Sequence, residues 1–330
     1  MNRLYFLASR LVQALAVLVV ITFITFAIFE FLPADPAQLA CGKPCTPENL
    51  ALARSYMGLN DPWYQQFWTY LSGIVTGTTY GSGADAVHCS APCLGYSFRL
   101  STPVTELIAN RLPVTISVAL GAAVLWMVIG VSTGVVSALR RGSAVDRTIM
   151  TGTVLGISSP AYLVGLLGIL VLGFKANVVP VSGYVPFSVS PIDWLWHLAL
   201  PWTVLAVLSA AVYTRMVRSE MLETLDEDHV RTARAAGLPE RRVLANHVLR
   251  SISVPVLTYF SLDLGGLLGG AVITERVFGW KGMGELFATG LRDVDPMPVM
   301  AFFLVTGTAA VLMNLVADVL YAVLDPRIRV

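Results

Sequence analysis

Charge is scarce in this chain and almost evenly split. Asp, Glu, Lys and Arg make up 13% of it, and 22 basic against 21 acidic side chains leave a formal net charge of +1. A nucleic-acid binder needs a basic excess, so that class is excluded. His88, His197, His229 and His247 are scattered. None stands in HExxH or at metal-ligand spacing on one helix face, so no metal site is expected. No nucleophile–base set can be assembled from them, and no catalytic residue is expected. The chain also lacks a G-x-x-x-x-G-K-[ST] phosphate loop, so it does not bind and hydrolyse ATP through that chemistry. Coiled-coil heptads, a low-complexity tail and a clear internal repeat are missing too. The last absence argues against an inverted-repeat secondary transporter.

Apolar residues take the place of charge. The chain is 55% hydrophobic, with a mean hydropathy of +0.70, too apolar for an ordinary soluble domain. Six apolar runs, at about 11–32, 113–138, 149–173, 195–216, 252–275 and 299–323, have the roughly 20 residues a helix needs to cross hydrocarbon. A helix satisfies its own backbone groups in lipid. The expectation is an all-α integral membrane protein with six transmembrane helices. The run from Leu11 to Leu32 exceeds a signal-peptide core of about 7–15 residues, and no Ala-x-Ala-like site follows it. It reads as a retained first span.

Basic residues set the expected orientation. With the N-terminus inside, the inner segments carry 14 of the 22 basic residues and the outer ones 8, which places both termini in the cytoplasm. The chain then divides into 1–32 (N-terminal segment and first span), 33–112 (an outer loop) and 113–330 (a core of five spans). That core includes a polar inner loop at 217–251. Cys41, Cys45, Cys89 and Cys93 all fall in the outer loop, where an oxidising compartment favours disulfides over zinc. Three connectivities are open; a bond between the two parts of the loop would remove more chain entropy than two small rings. Within the loop, DPWYQQFWTYLSGIV suits a helix lying at the membrane interface. STPVTELIANRL restarts a helix with Thr102 as cap and Pro103 in its first turn.

Several motifs inside the spans read more plainly as packing than as chemistry. Gly130-Val131-Ser132-Thr133-Gly134 matches the G-x-S-x-G nucleophile elbow, which requires a strand–turn–helix. Inside a transmembrane run its glycines instead satisfy GxxxG, which lets backbones approach. Gly152 and Gly156 follow the same logic. The cluster Gly265-Gly266-Leu267-Leu268-Gly269-Gly270 allows either close packing or a bend, and Pro160 is predicted to kink the third span. Asp263 stands one turn into the fifth span, where a charge is costly; it lines a pathway, serves a structural ion pair or lies near the inner headgroups. Thr258, Ser261 and Asp263 are the polar candidates for a pathway there.

The inner loop, LDEDHVRTARAAGLPERRVLANHVLRSISVP, is different. Asp226, Glu227 and Asp228 suit a helix start, Gly237 a left-handed helix end, and Pro239 the first turn of a second helix running to Pro255. The small residues Ala233, Ala235, Ala236 and Gly237 leave a shallow surface that a partner's groove could approach. The alternative is a solvated amphipathic loop.

ARAAGLPERRVLANHVLR resembles the EAA loop of ABC-importer permeases, in the version used by the dipeptide/oligopeptide family. Further blocks run in family order: FLPADPA, YSFRLSTPVTELIANRLPVTISVAL, LGGLLGGAVITERVFGWKGMGELF and LVADVLYAVLDPRIRV. Residues 78–93, the Cys41–Cys45 pair and Asp263 depart from the family pattern. The resemblance implies the type I ABC importer permease fold in the bacterial inner membrane. It implies a channel shared with a second homologous permease, two ATP-binding subunits that hold ATP and Mg, and an external solute-binding protein that delivers peptide. No cofactor is expected in this chain. Asp228, Arg231, Ala233, Arg234, Ala235, Gly237 and Leu238 would form the coupling surface for the ATPases. Since the loop reports the motor and not the cargo, nickel chelates, haem or another small solute remain open as cargo. A membrane scaffold or receptor without transport is the alternative of another class.

Overall fold

The computed structural model describes residues 3–31, 37–38, 45–81 and 86–324. In chain order its helices begin with α1 (Arg3–Glu30), α2 (Pro47–Tyr56) and α3 (Trp63–Thr76). Two short antiparallel ladders follow, β1 (Thr78–Tyr80) with β2 (Val87–Cys89), and β3 (Tyr96–Ser97) with β4 (Thr102–Pro103). Then come α4 (Val104–Leu139), α5 (Ala144–Ser158), α6 (Ala161–Gly168) and α7 (Pro191–Leu225). The chain ends with α8 (Asp228–Ala235), α9 (Glu240–Val243), α10 (Leu249–Leu268), α11 (Val272–Val277), α12 (Met283–Arg292) and α13 (Pro296–Leu324). Five described helices are long and apolar enough to cross a membrane, and a sixth crossing exists if the bent pair α5–α6 is one span.

That pair is where the structure departs most from the sequence expectation. The break falls at Pro160, where the kink is expected, but it is sharp enough that α5 and α6 meet at 102°. Ser159 sits at φ −87°, ψ 124°, the extended region forced on a residue before proline, and Pro160 has no N–H with which to continue the ladder. Beyond α6 the chain winds as a π-helical turn from Ile169 to Lys175. The second span differs in the opposite sense. Thr102 and Pro103 are in β4, not in a helix cap, and α4 runs unbroken through Pro113 for 36 residues.

One compact unit comprises Met1–Thr115 and Lys281–Ala309. Phe26, Phe67, Tyr70 and Met300 form one of its cores, with Phe23 meeting Phe67 edge-on at 5.3 Å. Helix α3 buries Phe67 and Tyr70 and leaves Trp63, Tyr64 and Trp68 exposed, the division expected of an interfacial helix. Burial raises the Tyr70 phenol above its usual range. Val104, Ile108, Met283 and Leu286 anchor a second core. Beside it Arg111 pairs with Glu285, and the Ser97 hydroxyl donates to buried Asp295 at 2.5 Å. Burial pushes the Asp295 carboxyl upward, partly offset by that bond. Cys89 and Cys93 are joined to each other, so here the disulfide closes a small ring and does not bridge the two parts of the loop. The β1–β2 pairing sets Cys89 opposite Thr78, and a chain that turns straight back brings Cys93 within a Cα–Cα distance of 5.5 Å. Cys45 is also disulfide-bonded; Cys41 lies outside the described residues, as does most of FLPADPA.

The other unit comprises Ile116–Trp280 and Ala310–Val330. Its core gathers Trp126, Tyr213, Val217, Met221, Val248 and Ile252. A Cβ on Gly130 would lie 2.6 Å from Tyr213 Cβ, and one on Gly134 would lie 2.7 Å from Val217 Cβ and 2.9 Å from the Thr214 carbonyl oxygen. These glycines therefore let α4 and α7 touch along their backbones, and Thr133 and Thr214 share a 2.7 Å hydroxyl bond in the same seam. Gly156 likewise abuts Ala211, but a Cβ on Gly152 would meet nothing within 4 Å. The packing expected of Gly152 is not made within this chain. Near that seam's end, Arg218 grips buried Asp146 through Nε–Oδ1 at 2.9 Å and Nη2–Oδ2 at 3.0 Å. The Ser137 hydroxyl and the Gly142 N–H donate to the same carboxylate at 2.5 and 2.9 Å.

Candidate functional site

Two features of the second unit stand out, a presented helix and a polar cavity. The helix is α8. It follows α7, whose 35 residues extend about 52 Å at 1.5 Å per residue, well beyond the ~30 Å hydrocarbon core. Val230 and Ala233 point from α8 into the core that holds Val243 and Val248. Three residues apart, they define one buried stripe. Asp228, Arg231, Arg234 and Ala235 are exposed on the remaining face. Ala233 is 7% exposed, so its side chain seats the helix against that core. Leu238 is half-buried against the same core. Both belong to the expected coupling set, Ala233 with its side chain turned inward and Leu238 half-exposed.

The turn after α8 is closed from three directions. Gly237 takes φ +79°, a conformation that costs a residue with a Cβ. Its N–H reaches the Arg234 carbonyl at 2.9 Å, and the Leu238 N–H reaches that of Ala233 at 3.3 Å. This is the paired bonding of a Schellman end. Arg234 then clamps Glu240 across the turn, with Nη2–Oε1 at 2.8 Å and Nε–Oε2 at 3.2 Å. From Pro239 the backbone enters α9, passes a π-helical turn at Leu244–Val248, and continues without interruption into α10. The loop is thus an extension of two membrane helices and contains no slack linker.

The cavity, about 430 Å³, lies between α4, α7 and α10. Leu205, Leu208, Ser209, Val212 and Tyr213 line it from one stripe of α7. Asp263, Gly266 and Leu267 line it from α10 at the same i, i+3, i+4 spacing, Gly270 lines it from just beyond that helix, and Trp126 closes it from α4. Tyr213 donates its hydroxyl to Asp263 Oδ2 at 2.8 Å. A carboxylate within a membrane span is costly, and the Tyr213 hydroxyl is the one hydrogen-bond donor that meets it among the described residues. The Ser261 hydroxyl is buried and turned back to the Leu257 carbonyl, and that of Thr258 to Val254. Of the three polar candidates, only Asp263 lines the cavity. Tyr213 and Trp126 belong to the site and went unnoticed in the sequence, where aromatics within apolar runs read as core. The glycine cluster serves both uses held open for it: Gly265 packs with its Cβ position 3.1 Å from Ala310 Cα, while α10 stops at Leu268 and Gly270 turns at φ +108°. Among the described residues no three His, Cys, Asp or Glu gather into a metal-binding group.

Comparisons with known proteins agree over nearly the whole chain. Residues 130–330 match the family model described as "Binding-protein-dependent transport system inner membrane component", and residues 3–119 match its N-terminal companion. A putative peptide transport system permease protein of Brucella abortus is 36% identical over 97% of this chain and 98% of its own length. The dipeptide transport system permease protein of Escherichia coli K12 is 33% identical over 99% of each. Among solved structures, a chain of the inward-facing MetNI methionine ABC transporter superposes with a TM-score of 0.51 at 17% identity. It covers 67% of this chain and 97% of its own.

Proposed function

The chain belongs to the family of binding-protein-dependent transport system inner membrane components, and from that membership we infer that it is the permease subunit of an ATP-driven peptide importer. It is a multi-pass protein of the bacterial inner membrane with the type I ABC importer permease fold, and a non-catalytic subunit of its machine. The near full-length similarity to peptide and dipeptide permeases carries the cargo assignment. Further components follow as part of the same reading. A second homologous permease completes the channel, and an external binding protein delivers peptide. Two ATP-binding subunits, loaded with ATP and Mg, grip the exposed face of α8 formed by Asp228, Arg231, Arg234 and Ala235 with the Gly237 turn. Both termini and the loop at 217–251 then face the cytoplasm.

The rigid join between α8, α7 and α10 supports this coupling role. When nucleotide draws two such α8 helices together, α7 and α10 must tilt with them, and the cavity lies between those helices. Nucleotide and cargo thereby favour different states of one bistable bundle. Reconstitution of the complete transporter in proteoliposomes tests it. ATP-dependent uptake of a labelled di- or tripeptide is expected, with no uptake when the ATP-binding subunits are omitted. Selective uptake of a nickel chelate or haem in place of peptide would overturn the cargo assignment.

A further inference from the structure

We propose that the cavity around Asp263 recognises the free α-ammonium group of the passing peptide, so that this permease selects for an unblocked N-terminus. The proposal rests on the peptide-importer reading and extends it to a residue and a functional group.

Three observations carry it. Asp263 accepts one hydrogen bond, from Tyr213 to Oδ2, and makes no other among the described residues. A carboxylate has about four lone-pair positions, so most of its accepting capacity is unused by the described residues. No Lys, Arg or His lines that cavity, so this chain's own lining supplies no countercharge to a carboxylate within a span, and an entering cation can. The second observation is Trp126. Its side chain is 2% exposed and lines the cavity, and its indole N–H, which lies near Tyr213, makes no hydrogen bond of full geometry. A buried donor left without an acceptor is costly, and a ligand carbonyl would satisfy it. The third is room: nothing lies within 4 Å of a Cβ placed on Gly266, one turn beyond Asp263. A cavity of about 430 Å³ also falls in the range of ligand sites, roughly 300–1,000 Å³.

The N-terminal residue of a peptide supplies both missing groups in one short fragment. Its ammonium, with a pKa near 7.7–8.0, is charged at neutral pH and meets the carboxylate, while the carbonyl two bonds away meets the indole N–H. Trp126 and Tyr213, with ring centroids 6.3 Å apart, add aromatic faces that favour a cation. A peptide's C-terminal carboxylate meets the reverse of all this, and is repelled.

The test uses the whole transporter in proteoliposomes, with uptake of trialanine and N-acetyl-trialanine measured per unit of peptide-loaded binding protein. Wild type is expected to prefer the free amine. Asp263→Asn should lower kcat/KM for trialanine about tenfold and change that for the acetylated peptide less than twofold, while Asp263→Glu should recover most of the difference. Asp263→Ser provides a second neutral replacement should the Asn variant not assemble. An equal loss for both peptides would make Asp263 a structural residue and overturn the proposal, as would an unchanged ratio. Wild type that imports neither peptide would overturn the peptide-importer reading itself.

Discussion

Removing the Arg218 guanidinium would strand Asp146, whose carboxylate is 7% exposed and already fully engaged by Arg218, Ser137 and Gly142. Breaking a buried pair by deleting one partner costs about 3–5 kcal/mol. Arg218 keeps 24% of its side chain exposed, so Arg218→Ala belongs at the lower end of that range. Thermal unfolding of the purified protein should show a clear drop in Tm. Arg218→Lys should recover only part of it, since one ammonium cannot copy a bidentate fork. Two glycines give a sharper contrast. Gly134→Val drives a side chain into Val217 and the Thr214 carbonyl, an overpacking worth about 1–3 kcal/mol. Gly152→Ala meets empty space within the chain, and a helical Ala gains up to about 1 kcal/mol over Gly. The first should lower Tm and the second hold or raise it. Both glycines have the same small-residue spacing in the sequence, and nothing local to either could reveal which had a neighbour.

The α8 turn depends on a backbone that only one kind of residue takes easily. Gly237→Pro cannot adopt φ +79° and deletes the N–H that bonds to Arg234. We expect membrane insertion to persist while co-purification with the ATP-binding subunits and ATP-driven uptake are lost. Gly237→Asn should retain both, because Asn tolerates the left-handed region and no atom lies near the new side chain. Normal uptake by the proline variant would remove α8 from the coupling role. This helix, its glycine stop and its acidic first turn were all readable, because helix ends are written in local chemistry. The seating of Ala233 was not. Which side of an eight-residue helix is buried depends on Val243 and Val248, ten and more residues further on. In the outer loop, replacing Cys89 and Cys93 by Ser would open a ring of five residues. The chain-entropy relation assigns that about 2 kcal/mol, read as a lower unfolding temperature of this unit with α8 coupling intact.

Taken as one molecule, the chain is a set of spans whose helical surfaces remain widely apolar and exposed, Leu155, Leu163 and Leu170 among them, as a lipid environment requires. The proposed orientation can be checked without disturbing these surfaces. A green fluorescent protein fused after Val330 should fluoresce, and alkaline phosphatase at the same point should be inactive. The reverse result would invert the topology and move α8 away from any cytoplasmic ATPase. Hydropathy was sufficient for the number of apolar runs, since each must match the bilayer's thickness by itself. It did not reveal that the third run folds back at 102°, because a proline permits many bend angles and only the neighbouring helices select one.

The sequence by itself determined a helical membrane protein, a polar loop with its turn at Gly237, and the lack of a contiguous phosphate-loop motif. Each of these is encoded within a few turns of chain, through apolar length, capping residues or a motif that must be contiguous. Only the tertiary structure decided that Trp126, Tyr213 and Asp263 share one cavity, that Ser261 turns away from it, and that Gly130 and Gly134 are seams where Gly152 is not. Those facts depend on which faces of α4, α7 and α10 meet. Contact between residues 50 or more positions apart is a property of packing, and no local pattern contains it.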